Sequence, residues 1–249
     1  MSVKQNAALV TGASRGLGAA IARRLAADGW PVAVNYRSDA DGAHQVVEEI
    51  RADGGTADAI AADVTDEEAV AGLSAKIASR LGPVEVLVVN ATGPQPESRV
   101  EDLTWQSYLD QLRFFVKSPT LLLQEMLPGM KALGSGRVIQ IGSDAFQRAL
   151  PGTSAYAAAK GAQWGLTRVW ARELGPHGIT VNLVAPGWVP VERHSEVSAH
   201  DLRGYVADVP LGRPGRPEDV AGTVAFLASN SAEFITGERL TVNGGHTIG

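Results

Sequence analysis

The chain has 249 residues, 45% of them hydrophobic and 20% charged, with a net charge of −5 and a mean hydropathy of −0.01. That length builds one large domain with a full core or two small ones, and the acidic balance argues against a nucleic-acid or anionic-membrane partner. The absence of cysteine excludes disulfides, thiolate catalysis and zinc–cysteine sites, and the histidines (His44, His177, His194, His200, His246) lack metal-ligand spacing, so no metal is expected.

Met1 to Ala8 lacks a basic-then-apolar signal pattern and no apolar run is long enough to span a bilayer, so a cytoplasmic location is expected. Ala7 to Val10 reads as a short apolar strand. It runs into Thr11-Gly12-Ala13-Ser14-Arg15-Gly16-Leu17-Gly18 and then a helix over Ala19 to Asp28, ended by Gly29. Strand, glycine turn and helix form the context in which a glycine-rich motif signifies dinucleotide binding. The glycines let the backbone turn tightly and approach a pyrophosphate, whose charge the helix N-terminus stabilises. The spacing here is Gly-x-x-x-Gly-x-Gly, not Gly-x-Gly-x-x-Gly. The second strand, Val32 to Ser38, bears on cofactor choice. An NAD site usually ends this strand on an acid that accepts the ribose hydroxyls. This chain has Tyr36 there, then Arg37, and Arg15 lies in the glycine turn. Guanidinium groups bind a 2′-phosphate that a carboxylate would repel, which favours NADP.

A helix from Asp41 to Ala52 follows, with Val46, Val47 and Ile50 on its apolar side. Ala59 to Val64 reads as a strand, with Asp63 placed to accept from an adenine amino group. Next come a helix over Glu67 to Leu81 and a fully apolar strand, Val84 to Val89, of the central parallel kind. The turn Asn90-Ala91-Thr92-Gly93 ends it. A long helix is expected from about Thr104 to Met130, kinked or split at Pro119.

Val138 to Gly142 reads as a buried strand ending at Ser143, and strand ends are where open α/β sheets carry their chemistry. Tyr156 and Lys160, four residues apart on a helix, share one face. A free tyrosine gives up its proton only near pH ~10, and a neighbouring ammonium lowers that value into a range useful for acid–base work. A strand over Thr180 to Val184 leads to Ala185-Pro186-Gly187. Trp188 to Arg213 lacks periodicity, as a substrate lid does. A helix over Glu218 to Ala228 and a strand over Leu240 to Val242 complete the chain. Unbroken alternation of strands and helices predicts one α/β domain, residues 1–249, with a Rossmann-type doubly wound parallel sheet and helices on both faces.

These motifs together resemble the short-chain dehydrogenase/reductase family along nearly the full length. The carriers are Thr11-Gly12-x-x-x-Gly16-x-Gly18, Asp63, Asn90, Ser143, Tyr156-x-x-x-Lys160, Pro186-Gly187 and Asn243-Gly244-Gly245. Ala185-Pro186-Gly187, Phe226 to Ser229 and Ile235 to Gly237 are similar to the 3-oxoacyl-[acyl-carrier-protein] reductase type. The resemblance implies Tyr156 as the acid that protonates a carbonyl oxygen, Lys160 as the group that lowers its pKa and bonds the nicotinamide ribose, and Ser143 as the holder of the substrate oxygen. It implies a site for NADPH or NADP⁺ built from Gly12, Ser14, Arg15, Gly16, Leu17, Gly18, Asn35, Tyr36, Arg37, Ser38, Asp63, Val64, Asn90, Tyr156, Lys160, Pro186, Gly187 and Val189. The expected activity is reduction of a ketone or 3-oxoacyl thioester. The alternatives are an NADP-binding protein with little turnover and an enoyl reductase, whose Tyr and Lys are usually spaced more widely.

Four positions depart from the family pattern. The Asn that completes the usual catalytic set falls, by spacing from Ser143, on Phe115, which cannot hold the family's relay water. The Asn-Asn-Ala-Gly turn reads Val89-Asn90-Ala91-Thr92, with the glycine displaced. A Thr expected to touch the carboxamide is Val191. Two arginine positions used in carrier-protein docking read Gly134 and His177. The resemblance further implies a homotetramer of two-fold symmetry. Phe114, Leu121, Leu122, Trp164 and Val169 are the apolar residues expected on exposed helix faces.

Overall fold

The strands are short and mostly apolar: β1 (Ala7–Val10), β2 (Val32–Tyr36), β3 (Ala57–Ala61), β4 (Val84–Val89), β5 (Gly136–Ile141), β6 (Ile179–Pro186) and β7 (Arg239–Val242). In the computed structural model, which describes residues 6–191 and 199–248, they form one parallel sheet in the order β3-β2-β1-β4-β5-β6-β7. β1, β5 and β6 are buried at every residue. Cover on both faces is why they read as continuous apolar runs instead of alternating ones. The pleat still sorts the side chains. Ala8, Val10, Val86 and Val88 pack to one face, while Leu9, Leu87 and Val89 pack to the other.

The helices are α1 (Gly16–Ala27), α2 (Ala40–Ala52), α3 (Glu67–Leu81), α4 (Trp105–Leu112), α5 (Ser118–Leu133), α6 (Ala145–Arg148), α7 (Ser154–Leu174), α8 (Ala199–Ala207) and α9 (Pro217–Ala228). α1, α2 and α9 cover the first face through Ile21, Leu25, Val46, Val47, Val220 and Val224. α3, α5 and α7 cover the second through Leu73, Ile77, Leu122, Met126 and Leu174. The strand order reverses between β1 and β4, and this switch point opens a crevice at the carboxyl ends of the strands. No helix among the described residues is long and apolar enough to cross a membrane.

Several boundaries differ from expectation. β2 stops at Tyr36, leaving Arg37 and Ser38 in the following turn, and β3 stops at Ala61, leaving Asp63 and Val64 beyond it. At strand ends the chain leaves the ladder to line the crevice, so residue type alone does not mark the boundary. Leu122, expected on an exposed face, is fully buried against the sheet, whereas Val169 is 53% exposed. The short α6 was not expected at all: it carries no side-chain cap, so nothing in its sequence announces where it starts. Within the expected lid, α8 is helical, and residues 192–198 lie outside the described residues.

The expected long helix changes its winding ahead of Pro119. Between α4 and α5, Arg113 to Lys117 form a π turn, closed by the Ser118 N–H donating to the Arg113 carbonyl. Pro119 supplies the reason: it has no N–H for the Phe115 carbonyl, and its ring crowds that carbonyl. A widened turn beside a proline is one of the ways a helix absorbs such a disturbance. The Thr120 hydroxyl donates to the next carbonyl, Val116, at 2.7 Å.

Candidate active site

The glycine turn between β1 and α1 is shaped by close approach. Gly12 has φ +62°, and a Cβ there would meet the Ala91 Cα at 2.9 Å. Gly16 has φ +55°, and a Cβ on Gly18 would strike the Gly12 carbonyl and lie 2.6 Å from the Asn90 amide. α2 and α3 are capped by Asp39 and Asp66, but α1 starts from an extended Arg15 with no capping side chain and no acid in its first turn. Its first-turn N–H groups therefore remain available for an anion, and Gly16, Leu17 and Gly18 line the crevice.

Two asparagines fasten this turn to the sheet. Asn90 donates to the carbonyls of Thr11 (2.9 Å) and Gly12 (3.1 Å), while the Thr11 hydroxyl accepts from the N–H groups of Asn90 and Ala91. Asn35, buried in β2, donates to the Ala62 carbonyl at 3.1 Å and accepts from the Gly12 N–H at 3.4 Å. Both amide nitrogens donate to backbone carbonyls, which holds the walls of the crevice. The displaced glycine of the β4 turn has its own cause. Phe114 packs so closely on Gly93 that any Cβ there would overlap its ring.

All the cofactor and catalytic residues expected from sequence line one cleft of about 1080 Å³. One end holds Ser14, Arg15, Tyr36, Arg37, Ser38, Asp63 and Val64. Arg15 and Arg37 are exposed there. Asp63 accepts from the Thr65 N–H at 2.9 Å and its hydroxyl at 2.7 Å. Burial acts to raise its pKa, but these bonds, with the charges of Arg37 and Arg113, hold the carboxyl below its ordinary value. Asp39 also lines this end. The sequence reading missed it because it lies past the strand end, where its carboxylate accepts from the Gly42 N–H and caps α2.

The other end is built from β5, α7, the π turn and the segment after β6. Ser143 accepts from the Ala145 N–H at 3.1 Å. Lys160 is only 6% exposed and donates to the Ile141 carbonyl at 2.7 Å and the Gln163 side-chain oxygen at 3.1 Å. Its ammonium sits 3.8 Å from the centroid of the Phe115 ring and 5.7 Å from that of Tyr156. Phe115 meets Tyr156 edge-on, with centroids 5.5 Å apart. Phe115 therefore lies inside the expected catalytic group, as a buried cation–π partner of Lys160. Pro186, Gly187, Val189 and Val191 complete this wall.

Other lining residues had no isolated signal. Tyr205 accepts from the Trp188 N–H at 2.8 Å and rests against Gly187. Burial raises its pKa, more than the Trp188 bond lowers it, with Asp144 also raising and Arg148 lowering. Buried Asp144 accepts from Asn243 at 3.3 Å, and its carboxylate lies 3.4 Å from the His246 ring nitrogen. The closing Asn243-Gly244-Gly245 motif, with His246 after it, thus lies beside Asp144, a partner from a distant part of the chain.

The family described as enoyl-(acyl carrier protein) reductase matches residues 12–247. The 3-oxoacyl-[acyl-carrier-protein] reductase of Staphylococcus aureus is 40% identical over 240 residues, 96% of each chain. A solved short-chain dehydrogenase/reductase of Serratia marcescens, a double mutant, has a TM-score of 0.92 at 36% identity and covers 100% of both chains. A blue fluorescent protein from a metagenomic library, solved in complex with NADPH, has a TM-score of 0.91 at 38% identity, also over 100% of both chains. With a glycine-cradled crevice at the switch point and these relatives over its full length, the chain belongs to the short-chain dehydrogenase/reductase family of oxidoreductases.

Proposed function

We propose that the protein reduces a carbonyl, in a ketone or a 3-oxoacyl thioester, to a hydroxyl with NADPH. The observation that carries this reading is the convergence of Ser143, Tyr156 and Lys160 at one end of a cleft whose other end is a glycine cradle. The reduced nicotinamide, when bound, supplies a hydride to the carbonyl carbon. Tyr156 gives its phenolic proton to the carbonyl oxygen, and Ser143 orients that oxygen with a hydrogen bond. The Lys160 ammonium favours the phenolate left behind. Binding energy along the cleft goes into orientation of the reacting groups.

Preference for NADPH is supported by the exposed Arg15 and Arg37 and by Tyr36 in the place of an acid. The carboxylate of Asp39 at that edge is engaged by the Gly42 N–H. Asp63 keeps a charged carboxylate suited to an adenine amino group. A lid role for the described parts of 188–213 is supported by Trp188, Val189, Gly204, Tyr205 and Asp208, which line the cleft. The relatives from Staphylococcus aureus and Pseudomonas aeruginosa are named for carrier-protein substrates. Gly134 and His177, at the positions where the resemblance places docking arginines, favour instead a free ketone or a small thioester for this chain.

A second reading, cofactor binding with slow turnover, is favoured by Phe115, which puts a ring where the family holds water. One assay separates the two: NADPH absorbance followed with a panel of ketones and 3-oxoacyl thioesters. Turnover of at least one substrate is expected. NADPH binding without oxidation by any of them would support the second reading.

A further inference from the structure

A glutamine side chain inside a helix face that packs on a sheet requires a reason, because a leucine or valine would fill the space without a polar group to satisfy. Gln163 is such a residue: 0% exposed, one turn beyond Lys160 on α7. Lysine is donor-only, so the amide oxygen must face the ammonium, and the 3.1 Å bond has that sense. The amide nitrogen is thereby turned away from Lys160 and has no hydrogen-bond partner among the described residues. Behind it, Gln140 of β5 donates to the Thr167 hydroxyl at 2.9 Å, which donates to the Gln163 backbone carbonyl at 3.0 Å. The Gln140 side-chain oxygen is likewise unpaired among the described residues. Two buried polar side-chain atoms are thus left without partners on neighbouring elements, and Thr167 links the Gln140 side chain to the backbone, not the side chain, of Gln163. Orienting the Gln163 oxygen toward Lys160 carries the cost of its own unpaired amide nitrogen.

We infer that Gln163 is the positioning residue of this active site: it holds the Lys160 ammonium with an acceptor that Phe115 does not supply. This rests on the reductase reading above for its catalytic meaning, but its physical content does not. The ammonium is faced by the Ile141 carbonyl at the end of β5, the Phe115 ring of the π turn, Tyr156 on α7 and the Gln163 oxygen. An aromatic face attracts a cation but fixes no direction, whereas two acceptors set where its N–H groups point. With Phe115 offering no lone pair, Gln163 supplies an acceptor to stand beside the Ile141 carbonyl.

The test compares the parent with Gln163→Met, similar in length but without a strong acceptor, and Gln163→Glu, which restores an acceptor oxygen. Lysines labelled with ¹³C are followed by NMR as pH is raised, on protein without substrate. The Lys160 resonance is assigned by its loss in Lys160→Met. Removing an acceptor disfavours the charged form, so Gln163→Met should lower the Lys160 midpoint by about one pH unit, and Gln163→Glu should raise it. Tyr156 is common to all three proteins, so the difference reports position 163. In turnover, Gln163→Met should lower kcat about tenfold with little change in KM for the ketone, and Gln163→Glu should recover most of it. A Lys160 midpoint in Gln163→Met equal to the parent's overturns the inference. If the parent reduces no carbonyl, the reductase reading falls, and the midpoints still decide the role of Gln163.

Discussion

Phe115 changes what Lys160 experiences. A cation held 3.8 Å over a buried ring is attracted to it by about 1–2 kcal/mol once desolvated, whereas an asparagine would offer an amide to water and backbone. The ring is 3% exposed, so Phe115→Asn removes packed volume as well as the cation–π contact. We expect a loss of about 3 kcal/mol of stability, read from chemical unfolding, with NADPH affinity retained. An unchanged unfolding midpoint would show that the ring is not packed as described. At the opposite end of the cleft, Arg37→Asp should turn an attraction for a 2′-phosphate into repulsion. Paired titrations should show NADPH binding weakened at least about tenfold and preference moved toward NADH. Equal or tighter binding of NADH by the parent would remove the basis for the NADP assignment.

At the level of elements, the site depends on how strand ends are tied together. Asn35 connects β2 to Ile60 in β3 and Ala62 just after it through buried bonds, and to the glycine turn through a part-buried one. Asn35→Ala leaves those carbonyls and one N–H without partners. It should cost about 2 kcal/mol and weaken NADPH binding, measured by thermal unfolding with and without cofactor. Retained stability and affinity would mean that the turn holds its shape alone. These ties also explain what was legible in the sequence. Apolar runs marked the strands, and the glycine turn with Tyr156-x-x-x-Lys160 pointed to both ends of the cleft, because those signals are local. The π turn was only half legible. Pro119 announced a disturbance, but how the helix absorbs it depends on packing around Phe114 and Phe115. Gln163, Asp144 and His246 were illegible because their significance lies in partners brought together by the fold, and a lone polar residue in a helix carries no such information.

The whole molecule leaves apolar side chains uncovered. Val169 on α7 is 53% exposed, Trp105 on α4 69%, Phe226 on α9 41% and Phe234 fully so. Single exposed apolar residues are ordinary, but these lie on helices and near the last strand, surfaces that a closed two-fold assembly can bury. We propose a homotetramer. Light scattering at micromolar concentration should give about four times the 26.1 kDa chain mass, and a particle of one chain mass would rule the assembly out.

Proton donation by Tyr156 is the central proposal for this site. The decisive measurement is NADPH oxidation by the parent and by Tyr156→Phe, side by side, with each carbonyl the parent accepts, together with the NADPH affinity of both proteins. Removing the hydroxyl removes the acid and little volume, so reduction should fall by at least about a hundredfold while NADPH binds as before. A Tyr156→Phe protein that reduces those carbonyls at the parent rate would contradict the account.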